Sequence, residues 1–171
     1  MRIELVEAAL SDKAAMFDMM QGYIAEFSAF EPTEPDERGI YPYQPFDSYW
    51  EEPERHPFFI LADGQRAGLA LVNRNHYVHL WHPSRSIAEF YIMPEFRRGR
   101  VGTTAARLLV RSFGGWWQLM MHPKNVPSHS FWRQTFDAPG FNEVKLRRGP
   151  RWYDGGLRGT VMTFKVDPRI R

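Results

Sequence analysis

Apolar positions along this chain recur with two periods, and the switches between them mark its elements. Residues 2–9 alternate weakly and predict a first strand. Met16, Met19, Met20, Tyr23, Ile24 and Phe27 then recur at helical spacing, with Ser11 placed to cap that helix. The stripe reads as core packing. The pattern breaks over 30–57, where prolines stand at 32, 35, 42, 45, 53 and 57 among acids and aromatics. Residues 47–54 allow a short helix within it. A loop of this length in a compact domain either covers the sheet or carries function.

Period two returns at 57–62 and 66–72. Asp63-Gly64 between them is a tight-turn signal, so the pair reads as a hairpin. Residues 86–92, rich in β-branched and aromatic side chains, predict a fourth strand. Pro94 stops its ladder, having no N–H to donate. Val101, Ala105, Leu108, Leu109 and Phe113 predict a helix ending at Gly114-Gly115. Residues 116–121 form a short apolar strand, parallel to the fourth because a helix separates them. Residues 127–136 predict a helix with Pro127 in its first turn, and 141–147 and 157–166 the last strands. The order is strand, helix, long loop, three strands, helix, strand, helix, two strands. That is an α/β chain with a mixed sheet of about seven strands and helices on its faces.

The length of 171 residues fits one domain, spanning 1–171, with a sizeable core. Net charge is only +2, but arginines gather at 97–111 and 147–171 while acids gather at 26–54. That asymmetry predicts an anion site on one side and a cation-friendly site on the other. Without cysteine, thiolate catalysis, disulfides and Cys-based zinc sites are excluded. No apolar run approaches a membrane span and the N-terminus has no signal-peptide pattern, so a cytoplasmic protein without membrane partners is expected. His76, His79 and His82 are evenly spaced but have no carboxylate among them, so a solvated hairpin rim is preferred to a metal site and no metal is expected.

The most informative stretch is 87–102: strand, basic turn, helix. The first N–H groups of a helix lack internal partners and favour an anion. Arg97, Arg98 and Arg100 would strengthen such a site through charge-assisted bonds. A phosphate-bearing ligand fits it.

Pro94-Glu95-Phe96-Arg97-Arg98-Gly99-Arg100-Val101-Gly102 resembles the acetyl-CoA motif of the GCN5-related N-acetyltransferases: Arg or Gln, two residues, Gly, one residue, Gly or Ala. Arg97 matches the first position and Gly102 the last, while Arg100 stands where the family usually has Gly. Residues 125–132, Asn125 to Trp132, resemble a second family segment, with Ser128 for a small Ala and Trp132 for the usual Tyr. Gly140-Phe141 resembles the dipeptide that opens the family's next strand. The resemblance covers 87–141 by motif and the whole chain by element order. It implies a mostly antiparallel sheet splayed between its fourth and fifth strands. It also implies acetyl-CoA as co-substrate, with pantetheine on the main chain of Tyr91, Ile92 and Met93 and an oxyanion donor near Tyr91 and Ile92. The pyrophosphate would lie on Arg98, Gly99, Arg100, Val101, Gly102 and Thr103, with Arg97, Asn125 and Trp132 completing the cofactor set. Arg100 is expected to turn outward while Gly99 supplies the flexibility of the turn.

Acetyl transfer to an amine needs a base and an oxyanion donor. Glu89 is the best base, placed by strand alternation on one face with Ile87 and Tyr91. It could equally orient the substrate ammonium. Trp132 does not titrate and cannot act as an acid. Tyr91 could replace it, or the thiol leaves without one. The acids of 31–54 would attract a cationic amine, and Tyr41, Tyr43, Tyr49 and Trp50 could hold it by stacking or cation–π contact. Small amines, amino acids, antibiotics and protein N-termini all fit, and a homodimer is allowed. Two other readings compete. One is a non-catalytic acyl-CoA sensor. The other, disfavoured by the acidic loop, is RNA binding through Arg147, Arg148, Arg151, Arg158, Arg169 and Arg171 with Trp152 and Tyr153.

Overall fold

A computed structural model describes residues 1–167. The elements, in chain order, are β1 (Ile3–Glu7), α1 (Lys13–Phe27), α2 (Ser48–Glu51), β2 (His56–Ala62), β3 (Gln65–Asn73), β4 (Ser84–Ile92), α3 (Val101–Phe113), β5 (Gly115–Met121), α4 (Val126–Phe136), β6 (Phe141–Arg148) and β7 (Thr160–Val166). The strands form one open sheet in the order β1-β2-β3-β4-β5-β7-β6. Only β4 and β5 run parallel. The β2–β3 turn has Asp63 and Gly64 at φ 49° and 79°, the mirror-image turn that suits the twist of a hairpin.

Two cores lie on the two faces of the sheet. Met16, Met20 and Ile24 of α1 cover Phe59, Leu69 and Leu71 on one face. On the other, α3 and α4 cover Ala70, Val72, Ile87 and the β5 and β7 side chains. Because both faces are covered, the run from Ala67 to Val72 is buried without a polar position. Ala105 and Ala106 let α3 lie close to the sheet. Leu108, expected in the buried stripe, is 39% exposed, and Val110 takes its place. Ser11 does not cap α1. It sits in a 3₁₀ turn, Leu10–Asp12, and the helix starts one residue beyond it, at Lys13. Asp12, next to the helix, instead accepts from Arg66 at 2.9 Å.

Two irregularities of β4 shape the centre of the molecule. First, β4 pairs with β5 only from Ser84 to Ile87, so its last residues part from β5 and open a cleft. Second, the β3 partner of Glu89 is Leu71 and that of Ile87 is Val72, which leaves Ala88 as an extra residue. The bulge corrects the expectation that Glu89 shares a face with Ile87. Ile87 packs on the α3 side, whereas Glu89 is bonded to Tyr23 of α1.

Beside this point β3 and β4 approach closely. A Cβ built on Gly68 would lie 2.1 Å from the Tyr91 carbonyl oxygen. Gly68→Ala must therefore push the strands apart, and a loss of about 1–3 kcal/mol is expected, as for other overpacked sites. Urea denaturation would read it. An unchanged midpoint would mean that the two strands separate freely.

Candidate active site

The parting of β4 from β5 leaves two adjoining cavities. The first, of about 520 Å³, runs from the end of β4 to the start of α3 and α4 and is lined by Tyr91, Ile92, Arg97, Arg98, Arg100, Val101, Gly102, Thr103, Asn125 and Ser128, among others. Its rim is basic and its floor is apolar. The guanidinium of Arg97 is already engaged. Its Nε donates to the Ile92 carbonyl at 2.8 Å, its terminal nitrogen to Glu26 at 2.8 Å, and it lies over the Tyr91 ring. Arg97 thus staples the end of β4 to α1. Among the described residues no carboxylate pairs with Arg98 or Arg100, so these two remain to meet an anion at the α3 N-terminus.

The turn bends in an unexpected place. Arg98 and Arg100 have φ of 70° and 63°, while Gly99 is not left-handed. Arg100 occupies the residue just before α3 in a left-handed conformation, where the residue capping a helix start is ordinarily extended. A side chain on Gly102 would stand 3.2 Å from the Phe131 ring and 3.4 Å from Ile92.

Main-chain direction selects among the β4 residues. The Tyr91 carbonyl turns toward Gly68 of β3, and the Met93 N–H donates to the Ala67 carbonyl at 2.9 Å. Successive residues of a strand turn their polar groups to opposite sides. It is therefore Ile92, and by the same alternation Phe90, that faces the cleft.

The second cavity, of about 410 Å³, shares Tyr23, Phe27, Phe90, Asn125 and Ser128 with the first. Glu89 lies in it. Its two oxygens accept from the Tyr23 hydroxyl at 2.5 Å and the Tyr43 hydroxyl at 3.1 Å. Burial lifts the Glu89 carboxyl to about 7 even though both tyrosines favour its ionised form. Burial, reinforced by the Glu89 charge, holds Tyr23, Tyr43, Tyr77 and Tyr153 above the usual phenol range, so they act as donors. Across the cavity, Glu31 accepts from the Asp154 N–H at 2.8 Å and from His122 Nε2 at 3.1 Å. His122 Nδ1 accepts from the Lys124 N–H, which leaves the ring proton on Nε2.

The residues expected from sequence divide accordingly. Tyr43, Glu89 and Trp132 line the second cavity. Tyr91 lines the first, with its hydroxyl near Gly22 of α1 and its ring against that of Tyr23. Asn125 borders both cavities but also caps α4, accepting from the Ser128 N–H at 3.2 Å. Three aromatic residues lie elsewhere. Tyr41 is tied to Gln21 through its main chain. Tyr49 is buried under α1, and its hydroxyl accepts from Asn73. Trp50 donates to the Ala8 carbonyl and packs edge-on against Phe46. Their apolar bodies are drawn into the α1-side core. Sequence reasoning missed Tyr23, Tyr77 and His122, and named Glu31 only as one of the acids of 31–54. Tyr23 carried a signal, a hydroxyl in an otherwise apolar stripe.

The other clusters have local partners. His76 meets Ser84, His82 stacks on Trp116, and no group of metal-ligating side chains occurs among the described residues. In the basic arm, Arg147, Arg151 and Arg158 bond to Thr163, Gly156 and Gly149, and Tyr153 turns into the cavity. Arg169 and Arg171 lie outside the described residues. No helix among the described residues is long and apolar enough to cross a membrane.

The acetyltransferase (GNAT) family model matches residues 18–136. No curated protein matches the chain. Among solved structures, a histone acetyltransferase HPA2 and related acetyltransferase from Corynebacterium glutamicum is similar with a TM-score of 0.68 and 15% identity, covering 98% of each chain. The PaiA N-acetyltransferase of Thermoplasma acidophilum, solved with coenzyme A, gives 0.58 and 16%, covering 96% of this chain and 99% of its own. The ribosomal-protein-S18-alanine N-acetyltransferase of Escherichia coli gives 0.57 and 14%, with 96% and 93% covered. At these identities the likeness is one of fold.

Two stability effects follow from the geometry. Glu89 titrates near 7 when folded and near its ordinary value of 4.5 when unfolded. The folded state holds this proton more tightly. Its advantage is full below about pH 4.5 and is lost as pH rises to about 7, by on the order of 3 kcal/mol. Glu89→Gln should therefore gain on the wild type in urea denaturation as pH is raised across that window. A difference independent of pH would show that the ionised carboxylate costs nothing here. Separately, Arg100→Gly should raise stability by about 0.5–1 kcal/mol by relieving the left-handed side-chain clash. A lower melting temperature would show that the guanidinium outweighs the strain.

Proposed function

The chain belongs to the GNAT family of acetyltransferases, and from that membership we propose that it moves an acetyl group from acetyl-CoA to a primary amine by direct attack in a ternary complex. The observation that carries this reading is the placement of Glu89, a buried carboxyl near neutrality, in the second cavity, which adjoins the basic-rimmed cleft through its neighbour Phe90 and its partner Tyr23. The residues of the cleft fit the donor. Arg98, Arg100 and the free N–H groups at the start of α3 suit its phosphates. The apolar floor of Ile92, Val101 and Phe131 suits its pantetheine arm. Acetyl-CoA supplies an activated acetyl thioester when bound, and the remaining work falls to this chain.

Glu89 takes a proton from the acceptor ammonium, directly or through a water. Its raised pKa makes it a competent base near neutral pH, and Tyr23 and Tyr43 fix its orientation. The freed nitrogen bonds to the thioester carbonyl carbon, and negative charge gathers on the carbonyl oxygen. The Ile92 N–H, turned toward the cleft, is the donor for that oxygen. The carbon–sulfur bond then breaks, its electron pair leaves on sulfur, and the extra proton on the newly bonded nitrogen passes to the departing thiolate or to water, giving the neutral amide and the thiol. Trp132 packs edge-on against Phe90 beside this point and shapes the wall without titrating. The thiol needs no strong acid, since with a pKa of ~8.5 it is a fair leaving group as the thiolate.

Thiol release from acetyl-CoA over a broad amine panel tests the activity, and its absence with every amine would remove the reading. With an accepted amine in hand, Glu89→Gln should lower kcat by ~10²-fold or more. It should also abolish the fall in rate below about pH 7 expected of a base with the Glu89 pKa, while CoA affinity by calorimetry stays close to wild type. Retention of both rate and acidic limb would assign deprotonation to water or to another group.

A further inference from the structure

The charge inside the second cavity is unbalanced. Its lining includes two carboxylates, Glu89 and Glu31, and no lysine or arginine. Glu31 lies on the loop after α1, with its side chain 24% exposed. Its partners are the Asp154 N–H and His122. That imidazole accepts the Lys124 N–H at Nδ1 and so carries a single proton, on Nε2. It is uncharged in this arrangement and does not cancel the charge of Glu31. A monoamine bound at Glu89 would leave the second carboxylate without a counter-charge.

The walls between the two carboxylates are aromatic. Tyr23, Tyr43, Tyr77, Tyr153, Phe27 and Trp132 surround the space. The faces of these rings attract ammonium groups and methylenes. At about 410 Å³ the cavity suits a small compound. Contacts from distant parts of the chain enclose it. Glu31 holds the Asp154 end of the β6–β7 connection, and Tyr153 packs against His122 at 4.2 Å.

We propose that the acceptor is a small diammonium compound whose reacting nitrogen lies at Glu89 and whose second ammonium lies at Glu31. The inference rests on the reading of this cavity as the acceptor site. It narrows the substrate class in two directions. A neutral tail forgoes the contact with Glu31. An amino acid would bring a further carboxylate into a cavity that holds two carboxyl groups and no lysine or arginine.

The test compares three series of equal chain length with acetyl-CoA and the full chain: α,ω-diamines from diaminopropane to diaminohexane, the matching n-alkylamines, and the matching ω-amino acids. At the best length, kcat/KM for the diamine should exceed that for the monoamine by roughly tenfold or more, with the amino acid lowest. In Glu31→Gln the ratio of diamine to monoamine should fall toward one. A wild-type ratio near one, or a ratio unmoved in the variant, would overturn the proposal. Because Glu31 also holds Asp154, that variant could lose its fold, and the wild-type series decides without it. If no amine releases thiol, the acetyl-transfer reading fails and calorimetry on the CoA-loaded protein decides this inference by itself. Tighter binding of diaminobutane than of butylamine supports it, and equal binding overturns it.

Discussion

Backbone polar groups that leave a ladder must find other partners, and this requirement governs the centre of the molecule. After Ile87, β4 has β3 on one side and an opening on the other. The Ile92 carbonyl, which β5 would have satisfied in a closed sheet, is taken by Arg97. The same guanidinium reaches Glu26, so α1 is tied to the turn that begins α3. Both cavities, the basic rim and the direction of the Ile92 N–H depend on the failure of the two strands to stay paired.

The bulge at Ala88 adds the second ingredient. Without an extra residue, Glu89 would share the α3 face with Ile87, among the alanines and tryptophans of the larger core. With it, the carboxyl turns to the α1 side, where two phenols can donate to it. Burial and hydrogen bonding then pull in opposite directions, and burial is the larger effect. The site thus stores free energy that a folded core would ordinarily not give up, as expected where acid–base chemistry requires a carboxyl poised near neutrality.

Much of the fold was legible because the periods were clean. The hairpin turn at Asp63-Gly64, the helix ending at Gly114 and the parallel crossover between β4 and β5 are each fixed by local chemistry. The basic turn was legible for the same reason, since strand, proline, arginines and helix follow one another directly. What was not legible depends on contacts between distant residues. Strand alternation placed Glu89 with Ile87 as well as Tyr91, and the first of these fails because a bulge leaves no local signature at Ile87-Ala88-Glu89. The aromatics of 41–50 looked alike in sequence, yet only Tyr43 reaches the cavity. Tyr49 and Trp50 instead answer the demand of α1 for a partner to cover. Gly99 looked like the flexible point of the turn, whereas the left-handed conformation falls on its arginine neighbours.

The Glu31 contact bears on the order in which the molecule is built. Its partners are His122 and Asp154, separated from it by 91 and 123 positions. During synthesis the first four strands can pair as they emerge, since each lies beside its sequence neighbour. The second cavity cannot. Its far wall comes from β5, α4 and the connection before β7, and it closes only when residue 154 has left the ribosome. Until then Glu89 borders an open edge. The growing chain therefore carries its buried acid before it has a pocket to use it in, and the assembly of that pocket coincides with the completion of the sheet.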